Sequence, residues 1–199
     1  SYQPENYYRY PRMDYAMLKK YGEGIIASSA CLGGVYAQDY WQSWEQNEDG
    51  ERHFNEQECM RRMRITTEKM VDIFGDRWYG ELQWNNIDDQ HRLNQYIIKV
   101  AEEYGVELVT TADSHYPNPT AWKDRELYKR LGWLGKSKPD YETNELPPGV
   151  EEIGYELYPK NGDQIWESYK KYSSQAGVEY DDALIRQSIE RTYDIAHNR

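Results

Sequence analysis

The triplet Asp113-Ser114-His115 is the part of the sequence best suited to chemistry. It follows residues 106–112 (VELVTTA), a continuous apolar run typical of a parallel strand covered on both faces. Two residues apart on an extended segment, Asp113 and His115 are expected to point to the same side. A carboxylate oxygen beside an imidazole nitrogen suits zinc, manganese or iron. The alternative is that Asp113 caps the next turn and His115 packs against it.

Two further side chains follow or end predicted strands. Cys31 comes directly after residues 24–30 (GIIASSA), where small neighbours leave room for a ligand or an ion; the alternative is an inert buried thiol. Glu81 lies in residues 78–83 (WYGELQ), either as a carboxylate that orients a ligand histidine or as a salt-bridged structural residue. Because the ends of parallel strands meet at one rim, we expect these groups to converge.

The elements that position these residues alternate along the chain. Two apolar stripes at helical spacing predict helices that end at Gly75 and Gly105. The first stripe is Met60, Met63, Thr67, Met70 and Phe74, and the second is Leu93, Ile97, Val100, Ala101 and Tyr104. Strands and helices that alternate in this way predict an α/β fold with a parallel sheet or barrel.

The remaining segments give weaker signals. A short helix is predicted over residues 14–20, ended by Gly22 as a left-handed cap, and others over residues 120–131, 163–172 and 182–197. The buried face of the last is predicted to be Ile185, Ile189, Thr192 and Ala196. Residues 36–52 are polar, rich in Trp and without clear periodicity.

Composition excludes several classes of function. The formal net charge is −11, from 35 acidic and 24 basic residues, so the chain by itself would repel a phosphate backbone. Two cysteines do not suggest a disulfide scaffold, and no apolar run is long enough to cross a membrane. The sequence carries neither a Walker-type glycine loop nor a serine nucleophile elbow. A cytoplasmic protein that handles phosphate through bound metal is compatible with all of this.

Other titratable residues are interpreted as structural. Cys59 lies in a helix beside two methionines and is predicted to be part of the core. His53, His91 and His197 stand in polar surroundings and are predicted to lie on the surface.

Three ordered motifs resemble a known family. Residues 24–34 (GIIASSACLGG), 73–83 (IFGDRWYGELQ) and 109–116 (VTTADSHY) are similar to segments of the PHP domain (polymerase and histidinol phosphatase) of bacterial DNA polymerase III alpha subunits. The resemblance extends through Tyr158-Pro159-Lys160 to the last helix. Ala112 stands where the family usually has Asn, at a position that is not a ligand.

The resemblance implies a distorted β/α barrel of seven strands with nine ligands for up to three metal ions. By motif, Cys31, Asp113 and His115 match the last three ligands, which would hold zinc or manganese; the parent polymerase would use magnesium. Residues 1–150 would form the second half of a PHP barrel, and residues 151–199 a helical exit segment toward a polymerase core. The implied activity is phosphodiester hydrolysis of the 3′–5′ exonuclease type.

The family's opening HTH-x-x-YS motif is not in the sequence, and neither are the other ligands. Hydrolysis needs a metal with an open position, so three residues cannot complete the site. We therefore expect the chain to act only with the N-terminal PHP half and the polymerase core, and to meet DNA only through that polymerase. Ser1 would suit the downstream junction of protein splicing, which needs a side-chain nucleophile, although simple trimming explains it equally well.

The sequence is compatible with three functions. The first is half of a metal-dependent phosphoesterase within a replicative polymerase. The second is a non-catalytic PHP module that supports the polymerase core or docks a partner. The third, a free-standing phosphatase, is disfavoured by the polymerase-like segment around Cys31 and by the exit after residue 150.

Overall fold

The computed structural model describes residues 13–122 and 156–198, together with residues 7, 8, 10, 11, 124, 125 and 128. Its helices are α1 Tyr15–Tyr21, α2 Val35–Trp41, α3 Glu56–Phe74, α4 Asp88–Tyr104, α5 Gly162–Ala176 and α6 Asp182–Asn198. Its strands are β1 Tyr7–Tyr8, β2 Tyr10–Pro11, β3 Ala27–Ser28, β4 Trp44–Gln46, β5 Arg52–Phe54, β6 Trp78–Gln83 and β7 Glu107–Thr111.

The central sheet is parallel and has the strand order β3-β6-β7. Strand β6 lies in the middle, and all six of its residues are buried. Helices α3 and α4 connect the three strands in turn, so the predicted α/β class and the parallel pairing are confirmed. Two hairpins, β1-β2 and β4-β5, lie outside this sheet.

Helices α3 and α4 form as their apolar stripes predict. The Asn55 side chain accepts a hydrogen bond from the Glu58 amide at the start of α3. Gly75 and Gly105 end the two helices with positive φ angles of 58° and 65°, which glycine adopts without steric cost. The buried faces of both helices pack into one core that also contains Trp78.

The region before β3 differs from the prediction. The strand is only two residues long, and Ile25 and Ile26 are 49% and 37% exposed rather than buried. The Ile25 amide donates to the Gly22 carbonyl, which closes a turn and keeps this stretch out of the sheet. The left-handed cap predicted at Gly22 is wrong: its φ is −80°, and the positive φ lies at Gly24.

Residues 35–54 are more ordered than their sequence indicated. They form α2 and the β4-β5 hairpin, with Trp44 paired to Phe54. The rings of Tyr40 and Phe54 lie 4.9 Å apart, and Phe54 also contacts Tyr96 of α4. Aromatic packing between distant segments, rather than local periodicity, thus holds this region.

The last two helices match the predicted positions. A capping box at Asn161 and Gln164 begins α5. On α6, Ile185 is buried as predicted, but Thr192 is exposed. Ala196 is exposed as well, whereas Ile189 is buried as predicted.

The buried face of α6 turns toward β7, where Ser188 and Thr110 share a hydrogen bond of 2.7 Å between hydroxyls. The buried face therefore contains Ser188 beside the predicted Ile185 and Ile189, and the C-terminal part of the predicted stripe lies outside it. Of the helix predicted over residues 120–131, positions 122, 124, 125 and 128 are helical, positions 120 and 121 form a turn, and the others lie outside the described residues. No helix in the described ranges is long and apolar enough to cross a bilayer.

Candidate metal centre

Asp113 and His115 lie directly beyond the carboxyl end of β7. The His115 Nδ1 atom is 2.7 Å from the Asp113 backbone carbonyl oxygen. Because a carbonyl oxygen only accepts, Nδ1 must carry the proton, which leaves the lone pair of Nε2 available. Ligand histidines commonly have this arrangement, in which a backbone carbonyl fixes the ring through its other nitrogen.

The two side chains come together by a turn, not by an extended strand. Strand β7 ends at Thr111, and Asp113 has a φ of 47°, in the left-handed region that Asp tolerates better than most residues. The expectation of an extended Asp113 is therefore wrong. The turn still brings Asp113 Oδ1 to 3.8 Å from His115 Nδ1. Burial raises the pKa of the Asp113 carboxyl, and the neighbouring His115 opposes that rise.

Glu81 is the polar centre of the sheet edge. Its side chain is buried and accepts hydrogen bonds from Ser28 Oγ of β3, from Gln83 Nε2 at 2.9 Å and from Thr111 Oγ1 of β7 at 2.6 Å. Its carboxylate thus links all three parallel strands. The partners found here are hydroxyls and an amide, so the predicted salt bridge is replaced by neutral donors.

Cys31 lies at the same edge of the sheet as Asp113 and His115, but it follows the outer strand β3 rather than β7. Its thiol is partly buried, and the Gly33 amide donates to Cys31 Sγ at 3.4 Å. Strand β6 separates β3 from β7, which places the strand ends roughly 10 Å apart. Among the residues that the structure describes, no three His, Cys, Asp or Glu side chains are grouped to hold one metal ion. The structure therefore brings Asp113 to His115 but leaves Cys31 apart.

The donor chemistry of this edge fits a divalent metal. The oxygen of Asp113, the free Nε2 of His115 and the sulfur of Cys31 are ligands of the kinds that zinc prefers. His115 is 42% exposed and Asp113 27% exposed at their side chains, so both can be reached from outside. All three donors follow the carboxyl end of an outer strand, and β6 separates Cys31 from the other two, which is compatible with ligands contributed to a larger site.

Four other predictions concern single residues. Cys59 is fully buried in the core, as expected, and burial raises the pKa of its thiol to about 12. His53 and His197 are exposed, also as expected. Ser1 lies outside the described residues.

His91, in contrast, is buried, so the surface prediction is wrong. Its Nε2 lies 2.9 Å from the Asn85 carbonyl oxygen, and its Nδ1 lies 3.2 Å from the Tyr180 hydroxyl. Burial lowers the pKa of the imidazole. Tyr180 precedes α6 and is far away in sequence, so local composition gave no signal of this contact.

Comparison with known proteins finds DNA polymerase III alpha subunits that are similar to this chain. The chain is 42% identical over 140 residues to the DNA polymerase III subunit alpha of Aquifex aeolicus, a match that covers 70% of the chain and 10% of that protein. It is 32% identical over 159 residues to the same subunit of Borreliella burgdorferi, covering 77% of the chain and 12% of the relative. With the Campylobacter jejuni subunit it is 27% identical over 193 residues, 95% of the chain and 14% of that protein.

The chain is related to a segment of DNA polymerase III alpha subunits. It spans about a tenth of the length of the relatives that it matches. No family model matches the sequence. The three motifs predicted a relationship to a replicative polymerase, and this is confirmed for the alpha subunit as a whole.

Proposed function

We propose that this chain supplies part of a PHP-type metal site that hydrolyses phosphodiester bonds within a DNA polymerase III alpha subunit. The observation that carries the proposal is the His115 ring, held by the Asp113 carbonyl with Nε2 left free at the carboxyl end of a parallel strand. The three motifs that resemble PHP segments support it. So does the relationship to polymerase alpha subunits.

In this proposal Cys31 on one side, and Asp113 with His115 on the other, contribute ligands to a cluster of divalent ions, zinc or manganese, completed by ligands from the preceding half of the barrel. The ions would activate water and offset the charge of a phosphate, which the chain's own net charge of −11 cannot do. Residues 1–150 would belong to the PHP barrel and residues 151–199 to the exit toward the polymerase core. DNA would be met through that polymerase, whose nucleotidyl transfer would use magnesium.

Glu81 would act as a positioning residue rather than as a ligand. Its two oxygens are already occupied by Ser28, Gln83 and Thr111. By tying β3 and β7 to β6, it would hold the segment that carries Cys31 at a fixed separation from the segment that carries His115.

The test combines the chain with the upstream PHP segment of a related alpha subunit and measures bound zinc and manganese, then release of nucleotides from a 3′ end. Asp113→Asn, His115→Gln and Cys31→Ser are each expected to reduce the metal content, whereas the exposed control His197→Gln is not. Unchanged metal content in all three ligand variants would disprove the proposed site.

A second candidate function is a non-catalytic module that docks the polymerase core or a partner. The exposed pair Ile25 and Ile26 favours it, since these apolar side chains stand beside β3, an outer strand whose described partner is β6 alone. Metal binding without release of nucleotides, combined with loss of complex formation in Ile25→Asp, would favour this function.

A further inference from the structure

The loop that carries His115 is fastened by a second, distant segment. The Leu157 carbonyl accepts hydrogen bonds from the His115 amide at 2.8 Å and from the Tyr116 amide at 3.2 Å. In return, the Leu157 amide donates to the Tyr116 hydroxyl at 2.8 Å. Three hydrogen bonds thus join Leu157 to His115, the last residue of the Asp113-Ser114-His115 triplet, and to Tyr116, which follows it.

The contact between Leu157 and the loop at His115 and Tyr116 is buried. Leu157 is 8% exposed and Tyr116 is 7% exposed, so water does not compete freely for these backbone groups. The ring of Tyr116 also contacts the ring of Tyr158, with centroids 6.3 Å apart. The His115 side chain itself remains outside the contact, 42% exposed.

The segment before and after Leu157 is held by a charged network. Glu156 accepts from Lys160 Nζ at 3.1 Å and from Lys171 Nζ at 2.5 Å. Lys160 also donates to Ser168 Oγ at 2.8 Å, and its side chain is only 3% exposed. Lys171 and Ser168 both belong to α5, so the network anchors the segment to that helix.

The backbone of Glu156 adopts a conformation that needs support from its surroundings. Glu156 has a φ of 53°, a left-handed conformation that is costly for a residue with a Cβ. Such a conformation persists where surrounding contacts over-determine it. Lys160 and Lys171, on either side of the carboxylate, provide those contacts. Glu156 directly precedes Leu157, whose carbonyl accepts from the two amides of the loop.

We propose that residues 156–160 form a strap that positions His115, with buried Lys160 as its main fastening to α5. The inference rests on the proposed function in that His115 is taken as a metal ligand. It assigns to the strap a role in orienting the ligand without touching the metal. The strap would also connect the metal site to the helical segment proposed to lead toward the polymerase core.

The test uses two variants that loosen the strap from opposite sides. Lys160→Met removes the buried ammonium while Glu156 keeps Lys171 as its partner. Tyr116→Phe removes the hydroxyl that accepts from Leu157 and keeps the ring. Lys170→Met is the matched control, since Lys170 lies on α5 but is exposed and pairs with Asp182 at 2.6 Å.

The first measurement is amide hydrogen exchange across the 199-residue chain without metal. We expect exchange at His115 and Tyr116 to accelerate by roughly tenfold in both strap variants, the change produced by about 1.4 kcal/mol of lost local protection. Val109 in β7 should keep its exchange rate, and Lys170→Met should change none of the three. A general fall in stability would instead accelerate all amides together.

The second measurement is zinc affinity of the chain combined with the upstream PHP segment. Both strap variants should bind zinc about 10- to 100-fold more weakly, as is typical when the support of a ligand is removed. Unchanged exchange at His115 and Tyr116 would overturn the strap whatever the zinc result. If the unaltered complex bound no zinc, the proposed function would fail, and exchange alone would decide whether the strap holds the loop.

Discussion

Glu81 accepts a hydrogen bond from Thr111 over 2.6 Å and so joins the middle strand β6 to the end of β7. The same carboxylate accepts from Ser28 at the end of β3. The sheet edge is consequently organised by one buried acceptor that serves three donors. Since neutral hydroxyls and an amide surround the carboxylate, its contribution depends on hydrogen bonds rather than on an ion pair.

Replacing Glu81 with Leu should destabilise the fold. The change keeps a side chain of similar size but leaves the donors on Ser28, Gln83 and Thr111 without their acceptor. We expect a loss of about 1–3 kcal/mol in the free energy of unfolding, measured by urea denaturation. Glu81→Gln is the control, because its amide oxygen still accepts, and it should lose less. Equal losses in the two variants would contradict the role of the acceptor.

Gly80 is fixed by close packing between β6 and its neighbours. A Cβ at this position would lie 2.8 Å from Leu108 Cδ2 and 2.9 Å from Ile97 Cγ2. Gly80→Ala should therefore lower the free energy of unfolding by about 1–3 kcal/mol through overpacking. Gly162→Ala is the matched control, since its Cβ would meet Ile189 at an ordinary 3.5 Å. If Gly80→Ala were as stable as the unaltered chain, the core would accommodate the added methyl group and the prediction would be wrong.

The elements with strong local signals were predicted well. Strand β6 has the bounds read from the sequence, and α3 and α4 end at Gly75 and Gly105 as expected. These segments combine a regular apolar period with a glycine that permits positive φ, so their structure is encoded locally.

Features that depend on distant contacts were missed. The hairpin β4-β5 is held by Phe54 against Tyr96, and His91 is buried by Tyr180, 89 positions away. At the candidate site, the residue types were predicted, but the left-handed turn at Asp113 was not. A single residue's φ reflects the surrounding loop, including the bonds to Leu157, which no periodic pattern reveals.

Stability should depend on pH through His91. Burial lowers the pKa of this imidazole in the folded chain, so the unfolded chain, with a pKa of about 6.5, binds the proton more tightly. The stabilising effect is complete above the unfolded pKa and is lost as the pH falls through the folded pKa. Urea unfolding should show lower stability at pH 5.5 than at pH 8. His91→Gln should flatten this dependence, whereas the exposed control His197→Gln should keep it.

The two histidines His115 and His91 should carry opposite tautomers. His115 Nδ1 faces the carbonyl of Asp113, so that ring is protonated at Nδ1. His91 Nε2 faces the carbonyl of Asn85 at 2.9 Å, so that ring is protonated at Nε2.

Long-range nitrogen–proton NMR correlations at pH 8 distinguish the two forms directly. His115 should show an unprotonated Nε2 and His91 an unprotonated Nδ1. Titration with zinc should then shift the Nε2 signal of His115 and leave His91 unchanged, because of these two rings His91 is buried and His115 is exposed. If His115 were protonated at Nε2, its ring would not be prepared to bind metal through that nitrogen, and the candidate centre would lose its main support.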